Sequence, residues 1–350
     1  MNVDSQLRAA IRAELPPEVF QPRPLRCLLM IPLLGCVVAG SMAVAVTPLP
    51  WYVALVVSIL VGNLYASMLF LGHEIGHGAA MRSRRLQRLL LYPGCAIFLL
   101  SPWLWLVWHN GSHHGHTNKP DEDPDLFGTL DGFLGRAPSG RLLIRVAFGS
   151  AYWPSAIYLF CFFSLQVQAV LWWKSRTLPG YRRLNRRRAI VDTALLAAFW
   201  IMVAVASGPR GAVFVVLIPM LAANFVVLSY VVTNHMLRSL SYENDTLATT
   251  MSVTTLKLLD RVHFHFSHHV EHHLFPAMSS SMAPHVRRCL VRHVGDRYVA
   301  PPHWRALMMV FCTPRFYDGH DRLIEPWSGR RKEILQVERD LRGTRPSRQR

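Results

Sequence analysis

Four long runs of hydrophobic residues divide this chain. Leu25 to Val46 and Trp51 to Leu71 are each long enough to cross the hydrocarbon core of a bilayer as a helix. The short connector Thr47 to Pro50 joins them, so they form a hairpin. Ala189 to Ala206 and Ala212 to Val232 repeat this arrangement around a Ser-Gly-Pro-Arg-Gly connector. The pattern predicts four transmembrane helices arranged as two hairpins.

Two further apolar stretches, Leu89 to Val107 and Val146 to Trp173, are interrupted by prolines and polar residues. Neither is long enough to cross the bilayer twice, and a single crossing would carry a basic loop and some histidines to the far side. Both are therefore predicted to be re-entrant or interfacial segments. Tryptophans typical of interfacial anchors lie at their ends, namely Trp103, Trp105, Trp108, Trp172 and Trp173.

The N-terminal residues differ from a cleavable signal, which begins with basic residues and continues into an apolar core. Leu7, Ile11 and Leu15 recur at helical spacing, which predicts a short amphipathic helix that could rest on the membrane surface. A frayed tail is an equally good interpretation. The predicted organisation is an N-terminal cytoplasmic tail over residues 1–24, a membrane domain over 25–285 and a cytoplasmic C-terminal region over 286–350.

The chain is strongly basic, with 38 Lys and Arg residues against 21 Asp and Glu residues. The arginines form short runs beside the apolar stretches, as in cytoplasmic loops, so both chain ends are expected in the cytoplasm and no nucleic-acid partner is expected. Membrane lipids are the expected surroundings. The six cysteines are scattered without a Cys-x-x-Cys pair, which argues against a disulfide framework or a thiolate metal site.

Most of the 17 histidines fall into three clusters. The first is His73-Glu74-Ile75-Gly76-His77, where i and i+4 spacing places both imidazoles on one helix face. The second begins at His109 with the sequence HNGSHH, and the third begins at His268 with HHVEHHLFP. With four crossings, all three clusters lie on the cytoplasmic side and form a histidine-rich cap.

Imidazole is a good ligand for iron, zinc and copper, and eight clustered histidines exceed the need of one tetrahedral zinc ion. The clusters therefore predict a site for two metal ions. His235 ends the fourth apolar run on the same side and is a candidate ninth ligand. Ordinary solvated or hydrogen-bonded side chains are expected for His285, His293, His303 and His320.

The three motifs HEIGH, HNGSHH and HHVEHHLFP resemble, in sequence and order, the histidine boxes of the membrane fatty-acid desaturase and hydroxylase family. The resemblance extends over roughly Trp51 to His285. It implies an all-α integral membrane fold, a non-haem di-iron centre and O₂ as co-substrate. The implied iron ligands are His73, His77, His109, His113, His114, His235, His269, His272 and His273.

The residues next to these ligands carry further expectations. Glu271 is expected to orient a ligand imidazole through a hydrogen bond, and Asn234 is expected to lie close to the metals without ligating them. The segment Asp123-Pro124-Asp125 is interpreted as a turn without a role.

The sequence Glu-His-His-Leu-Phe-Pro at the third cluster resembles acyl-lipid desaturases, which implies a fatty-acyl substrate carried on a lipid or another carrier. The His-Pro-Gly-Gly motif of a fused cytochrome b5 domain does not occur in the sequence. An external electron donor, a ferredoxin or a cytochrome b5-like protein, is therefore expected. The expected location is a bacterial cytoplasmic membrane with the active site in the cytoplasm.

Other functions fit parts of the pattern. A fatty-acid hydroxylase or ketolase on the same scaffold would use the same metals. The motif HEIGH also satisfies His-Glu-x-x-His, in which Glu74 would be the general base of a zinc protease, but that function leaves two clusters unused. A metal transporter would need polar ligands inside the membrane spans, but the interiors of the predicted spans are apolar.

Overall fold

The computed structural model describes residues 3–241, 243 and 245–342, and these are mostly helical. The last eight residues of the predicted C-terminal region, 343–350, lie outside the described residues. In chain order the α-helices are α1 (Val3–Glu14), α2 (Met30–Val46), α3 (Trp51–Gly76), α4 (Arg84–Cys95), α5 (Pro102–Trp105), α6 (Leu130–Leu134), α7 (Pro138–Ile144), α8 (Ile157–Ala169), α9 (Ser175–Thr177), α10 (Arg186–Ala206), α11 (Gly208–Gly211), α12 (Ile218–His235), α13 (Thr246–Thr249), α14 (Lys257–Val262), α15 (His269–Leu274), α16 (Ala283–Val294), α17 (His303–Cys312) and α18 (Ile334–Arg342).

Five continuous helical segments in the described residues are long and apolar enough to cross a membrane. Four of them correspond to the predicted hairpins, and their helices α2, α3, α10 and α12 bear out the all-α membrane class. The segments are Pro24–Val46, Trp51–Gly76, Trp153–Thr177, Arg186–Ala206 and Gly208–His235.

Trp153–Thr177 is one more long apolar helix than the four predicted. Pro154 does not interrupt it, because this proline lies in the first turn, where a missing backbone N–H costs nothing. Gln166 does not exclude it from an apolar environment either, since its side-chain amide donates to Asp125 inside the protein at 2.7 Å. Length and composition therefore allow five crossings, and the prediction of four stays a prediction.

The stretch predicted as the first re-entrant segment is bent. Arg84–Phe98 and Pro102–His113 are together long and apolar enough to cross a membrane, but their helix axes differ by 105°. Helix α10 stabilises the break between them, because its buried Asp192 accepts hydrogen bonds from Tyr92 at 2.8 Å and from Ser101 at 2.9 Å.

Helices α3 and α12 cross closely at the centre of the membrane region. A Cβ atom placed on Gly62 of α3 would lie 2.5 Å from the carbonyl oxygen of Pro219 and 2.6 Å from the Cβ of Ala222. Glycine is therefore required there for the two backbones to approach. This crossing matters for function because α3 ends at the first histidine cluster and α12 ends at His235.

The rest of the chain forms a cap over one end of these helices. Its C-terminal part includes a three-stranded antiparallel sheet, in the order β1 (Phe316–Tyr317), β2 (Arg322–Ile324) and β3 (Arg331–Glu333). The predicted domain boundary at residue 285 falls inside α16. Val310 of α17 and Val337 of α18 belong to the same hydrophobic core as the long helices, so the C-terminal region packs directly on the membrane domain.

The predicted N-terminal amphipathic helix is present as α1, but the interpretation that it rests on the membrane was wrong. Its apolar side packs against the cap, with Ile11 fully buried among Val286 and Leu290 of α16. Asp4 ties it down further, because its carboxylate accepts hydrogen bonds from the backbone and side chain of Thr246 at 2.9 and 2.6 Å. The sequence shows that this helix has an apolar side but not which surface that side covers.

Candidate metal centre

The first histidine cluster lies on the last turn of α3. His73 is in the helix and His77 is its C-terminal cap, so the helix extends beyond the apolar run to carry both side chains. Their ring centroids are 4.7 Å apart, as i and i+4 spacing predicts.

The second cluster lies on a π-helical segment, Leu106–His113, which continues directly from α5 after the bend. The wider π turn directs His109, His113 and His114 toward the same region. The Asn110 side-chain amide donates to the Gly76 carbonyl at 2.8 Å, which fixes the second cluster against the end of α3.

The third cluster is carried by the short helix α15. A strained loop precedes it, in which Phe264 and His265 have left-handed backbone angles, φ of 51° and 54°. His269, His272 and His273 lie on one face of α15 because they are three and four residues apart. The opposite face, with Val270 and Leu274, packs into the core of the cap.

The nine histidines implied as ligands come together in two groups. Within each group, one ring nitrogen from every member lies within 4.8 Å of those of the others. His114 and His273 connect the groups, with ring centroids 4.3 Å apart. The first group contains His73, His77, His109, His114 and His272, and the second contains His113, His235, His269 and His273.

The contacts inside the first group fit a bound cation better than a hydrogen-bonded network. The Nε2 atom of His109 lies 2.8 Å from that of His73 and 3.2 Å from that of His114, which in turn lies 3.0 Å from that of His272. Each neutral Nε2 carries either one proton or one lone pair, so at most two of these three contacts can be hydrogen bonds. The Nε2 of His77 is also buried without a hydrogen-bond partner in the described residues.

The second group has the same geometry. The Nε2 atom of His269 lies 2.8 Å from that of His235 and 3.1 Å from that of His273. Converging nitrogen lone pairs of this kind are what a divalent cation needs, and all four residues of this group are buried.

Burial also favours the neutral form of the three histidines of α15. Burial, together with neighbouring imidazoles, lowers the pKa of His269, His272 and His273 well below the ordinary histidine value. A neutral imidazole retains the lone pair that metal binding requires.

Acidic side chains contact the ring nitrogen of His113 that faces away from the centre, and the sequence analysis missed them. The Nδ1 atom of His113 lies 3.0 Å from a carboxylate oxygen of Asp123 and 3.4 Å from one of Asp125. These two acids had been interpreted as a turn without a role. The signal was present in the sequence, because two acids ten and twelve residues after a ligand candidate can fold back on it.

Glu271 does not make the contact expected of it with a ligand imidazole in the described residues, whereas the expectation that Asn234 lies close to the metals stays a prediction. Glu271 accepts hydrogen bonds from Ser252 and Tyr298, on the side of α15 that faces away from His269. Asn234 is fully buried next to His235, but its side-chain nitrogen and oxygen have no hydrogen-bond partner in the described residues.

Glu74 is engaged in a way that argues against a zinc protease. Both of its oxygens accept from the Arg26 guanidinium, at 2.7 and 2.9 Å, and its carboxylate also accepts from Ser279 and Ser280. A carboxylate that neutralises a bidentate arginine is not free to act as a general base. Two of the histidines expected to be ordinary also have structural contacts: His293 pairs with Glu14, and His303 contacts the Ser229 carbonyl.

An apolar pocket reaches both histidine groups from the side of the long helices. Its walls include Leu69, Phe163, Val227 and Val231, and Phe70 stacks on Phe266 at 4.2 Å along one side. The histidines in its lining are His73, His109, His113, His235 and His269. The apolar side chains of this cavity suit a hydrocarbon chain.

Fold and site together define a helical membrane protein with a buried, histidine-rich centre beside an apolar cavity. Comparison with known proteins agrees. The family model "Fatty acid desaturase" matches residues 49–306. An sn-1 acyl-lipid omega-3 desaturase (ferredoxin) from Synechocystis sp. is 23% identical over 324 residues, which cover 87% of each chain. An sn-1 oleoyl-lipid 12-desaturase from the same organism is 21% identical over 334 residues, or 90% of each chain.

The match to the family model covers well over half of the chain, so the protein belongs to the fatty acid desaturase family. It is therefore an integral membrane oxidoreductase that acts on fatty-acyl chains.

Proposed function

We propose that this protein is an oxygen-dependent acyl-lipid desaturase whose nine clustered histidines hold two iron ions. The observation that carries the proposal is the pair of imidazole groups at the end of an apolar cavity. When bound, the iron ions would supply the activation of O₂ needed to remove two hydrogen atoms from neighbouring methylenes. The two desaturase relatives named above support desaturation as the outcome.

The protein's own contribution is positioning. A methylene group offers no polar handle, so the depth and shape of the cavity must select the carbon atoms that react. Val227 and Val231 of α12 and Leu69 of α3 form walls without hydrogen-bonding groups, which favour an acyl chain and exclude water. Trp105 stacks on His109 with centroids 4.8 Å apart and holds that imidazole at the cavity wall.

A topology of four crossings is supported by the contacts of Trp153–Thr177. At its N-terminal end, the amide of Ala151 donates to the Phe311 carbonyl in the C-terminal region at 2.6 Å. At its C-terminal end, Lys174 donates to the Pro124 carbonyl beside the histidines. Both ends thus contact the cap, as expected for a helix lying along the interface. We therefore place the cap, both termini and the metal centre in the cytoplasm, where the basic loops belong.

The reducing equivalents would come from an external carrier. The name of one relative specifies ferredoxin, and an acidic ferredoxin suits a protein with a formal net charge of +17.

The deciding experiment is mass spectrometry of total fatty acids from a host that expresses this chain, compared with the host expressing His272→Ala. His285→Ala is a matched control, because His285 is an exposed histidine outside both groups. We expect a new species lacking two hydrogens with the wild type and His285→Ala but not with His272→Ala. A species that gains oxygen would identify a hydroxylase instead, and desaturation by His272→Ala would refute the metal assignment.

A further inference from the structure

The outer side of the cap carries a concentration of positive charge that the reaction itself does not use. Between Ala283 and Arg297, which covers α16 and the turn after it, there are four arginines against the single acid Asp296. We call the exposed side chains on this side the basic face. Its members are Arg12, Arg288 and Arg292.

Contacts hold these three arginines near one another. Arg292 pairs with Glu14, two residues along α1 from Arg12. Arg288 is exposed on α16, one turn before Arg292.

The basic face lies on the side of the cap that is farthest from the long helices. The imidazoles of α15 face those helices, and its opposite side packs against α16 through Val270, Leu274, Val286 and Leu290. Helix α1 covers α16 in turn. The order of layers is therefore long helices, histidines, α15, apolar core and basic face. This order directs the arginines to the aqueous side, away from lipid headgroups.

Other arginines occupy the positions expected for lipid contact. The Arg88 guanidinium lies 3.9 Å from the ring centroid of Trp103, and that of Arg186 lies 5.8 Å from Trp172. Arginine paired with tryptophan at the ends of apolar helices is typical of the membrane interface. The basic face therefore has a different partner.

Short aromatic contacts connect this face to the metal-binding helix. The Arg12 guanidinium lies 4.5 Å from the ring centroid of Phe20, and Phe20 lies 4.9 Å from Phe275, which follows His273 by two residues. A second connection runs from Arg287 over Tyr298, whose hydroxyl donates to Glu271 on α15. A protein bound to this face would be separated from the histidines by little more than one helix.

Resting on the proposed function, we propose that the basic face is the docking surface for an acidic one-electron donor protein of the ferredoxin class. Removal of two hydrogens from the acyl chain supplies two of the four electrons that reduce O₂ to two water molecules. The other two electrons, with two protons from solvent, must come from outside. A one-electron donor has to dock twice per double bond, so fast, salt-dependent electrostatic encounter suits this task.

The test reverses one exposed charge. Arg288→Glu is compared with wild type and with Arg183→Glu, an equally exposed arginine in the loop before α10. Each protein is placed in nanodiscs of zwitterionic lipid, and binding of a reduced acidic ferredoxin is measured without turnover, at low and high salt. We expect about tenfold weaker binding by Arg288→Glu at low salt, with the difference shrinking at high salt, and less than twofold change for Arg183→Glu.

Two further readouts separate docking from damage to the site. Iron content and turnover driven by a small chemical reductant should be unchanged in Arg288→Glu. Unchanged ferredoxin affinity in this variant, or an effect that occurs only in nanodiscs containing anionic lipid, would overturn the proposal. Ferredoxin binding that depends on Arg288 without any double-bond formation by the wild type would instead overturn the proposed function and leave the docking surface standing.

Discussion

The Nδ1 atom of His113 lies 3.0 Å from a carboxylate oxygen of Asp123, at the back of the second histidine group. The carboxylate is itself held in place, since the amides of Asn118 and Asp125 donate to it at 2.8 and 2.9 Å. Burial would raise the pKa of Asp123, but His113 and these amides hold it below its ordinary value. A charged, fixed acceptor at Nδ1 leaves Nε2 of His113 free to face the centre.

Asp123→Asn tests this relationship. The amide keeps the shape but loses the charge that fixes the imidazole, so we expect metal affinity or activity to fall about 10- to 100-fold. Iron content and competition with a chelator measure the affinity. Asp131→Asn, at an exposed acid of α6, is the control and should behave as wild type. Full iron retention by Asp123→Asn would show that this carboxylate plays no part in the centre.

Arg26→Ala should destabilise the cap. Arg26 is the bidentate partner of the buried Glu74, and its removal leaves a carboxylate that, among the described residues, accepts hydrogen bonds from two serine hydroxyls alone. Breaking a buried ion pair from one side costs about 3 kcal/mol, so a lower thermal unfolding temperature is expected. Thermal unfolding in detergent measures it, with Arg85→Ala as an exposed control. Equal unfolding temperatures for the two variants would contradict the expectation.

Gly62→Ala should disturb the crossing of α3 and α12. The added methyl would lie 2.5 Å from the Pro219 carbonyl oxygen, so the helices must separate. Overpacking of this kind costs about 1–3 kcal/mol, and displacement of His235 from His73 should lower iron content as well. Gly35→Ala on α2 is the matched control, since an added Cβ there meets nothing within 4 Å. Wild-type stability and iron content in Gly62→Ala would argue against the close crossing.

Val231→Phe should narrow the apolar cavity without touching a histidine. The larger ring occupies space that an acyl chain needs, so activity on the longest substrates should fall by about tenfold or more while iron content stays constant. Fatty-acid profiles of the expressing host measure this effect. The same profile from the variant and the wild type would mean that the chain binds elsewhere.

Much of the site was predictable because the relevant signals are local. The i and i+4 spacing of His73 and His77 sets a helix face wherever the helix lies, and the length of an apolar run sets a membrane span in the same way. The resemblance of the three motifs to a known family then indicated which histidines to group. His235 was expected from topology and from the resemblance, and the structure brings its Nε2 within 2.8 Å of that of His269.

What the sequence did not predict depends on contacts between distant residues. The sequence around Asp123 indicates a turn, and only the fold places its carboxylate next to His113. Glu271 was expected to contact a neighbouring ligand imidazole, but in α15 it faces Tyr298 instead. Helix α1 has an apolar side in the sequence, but the surface it covers is α16, nearly three hundred residues away in the chain.

The sequence by itself therefore determined the class of fold, four of the five long apolar helices and the set of histidines that come together, because helix periodicity and hydrophobic length act within one segment. Only the tertiary structure decided how the nine imidazoles divide into two groups, which acids orient them, where the cavity meets them and which side of the cap carries the exposed arginines. Each of these depends on the packing of α3, α12, α15 and α16 against one another, and local propensity does not encode that packing.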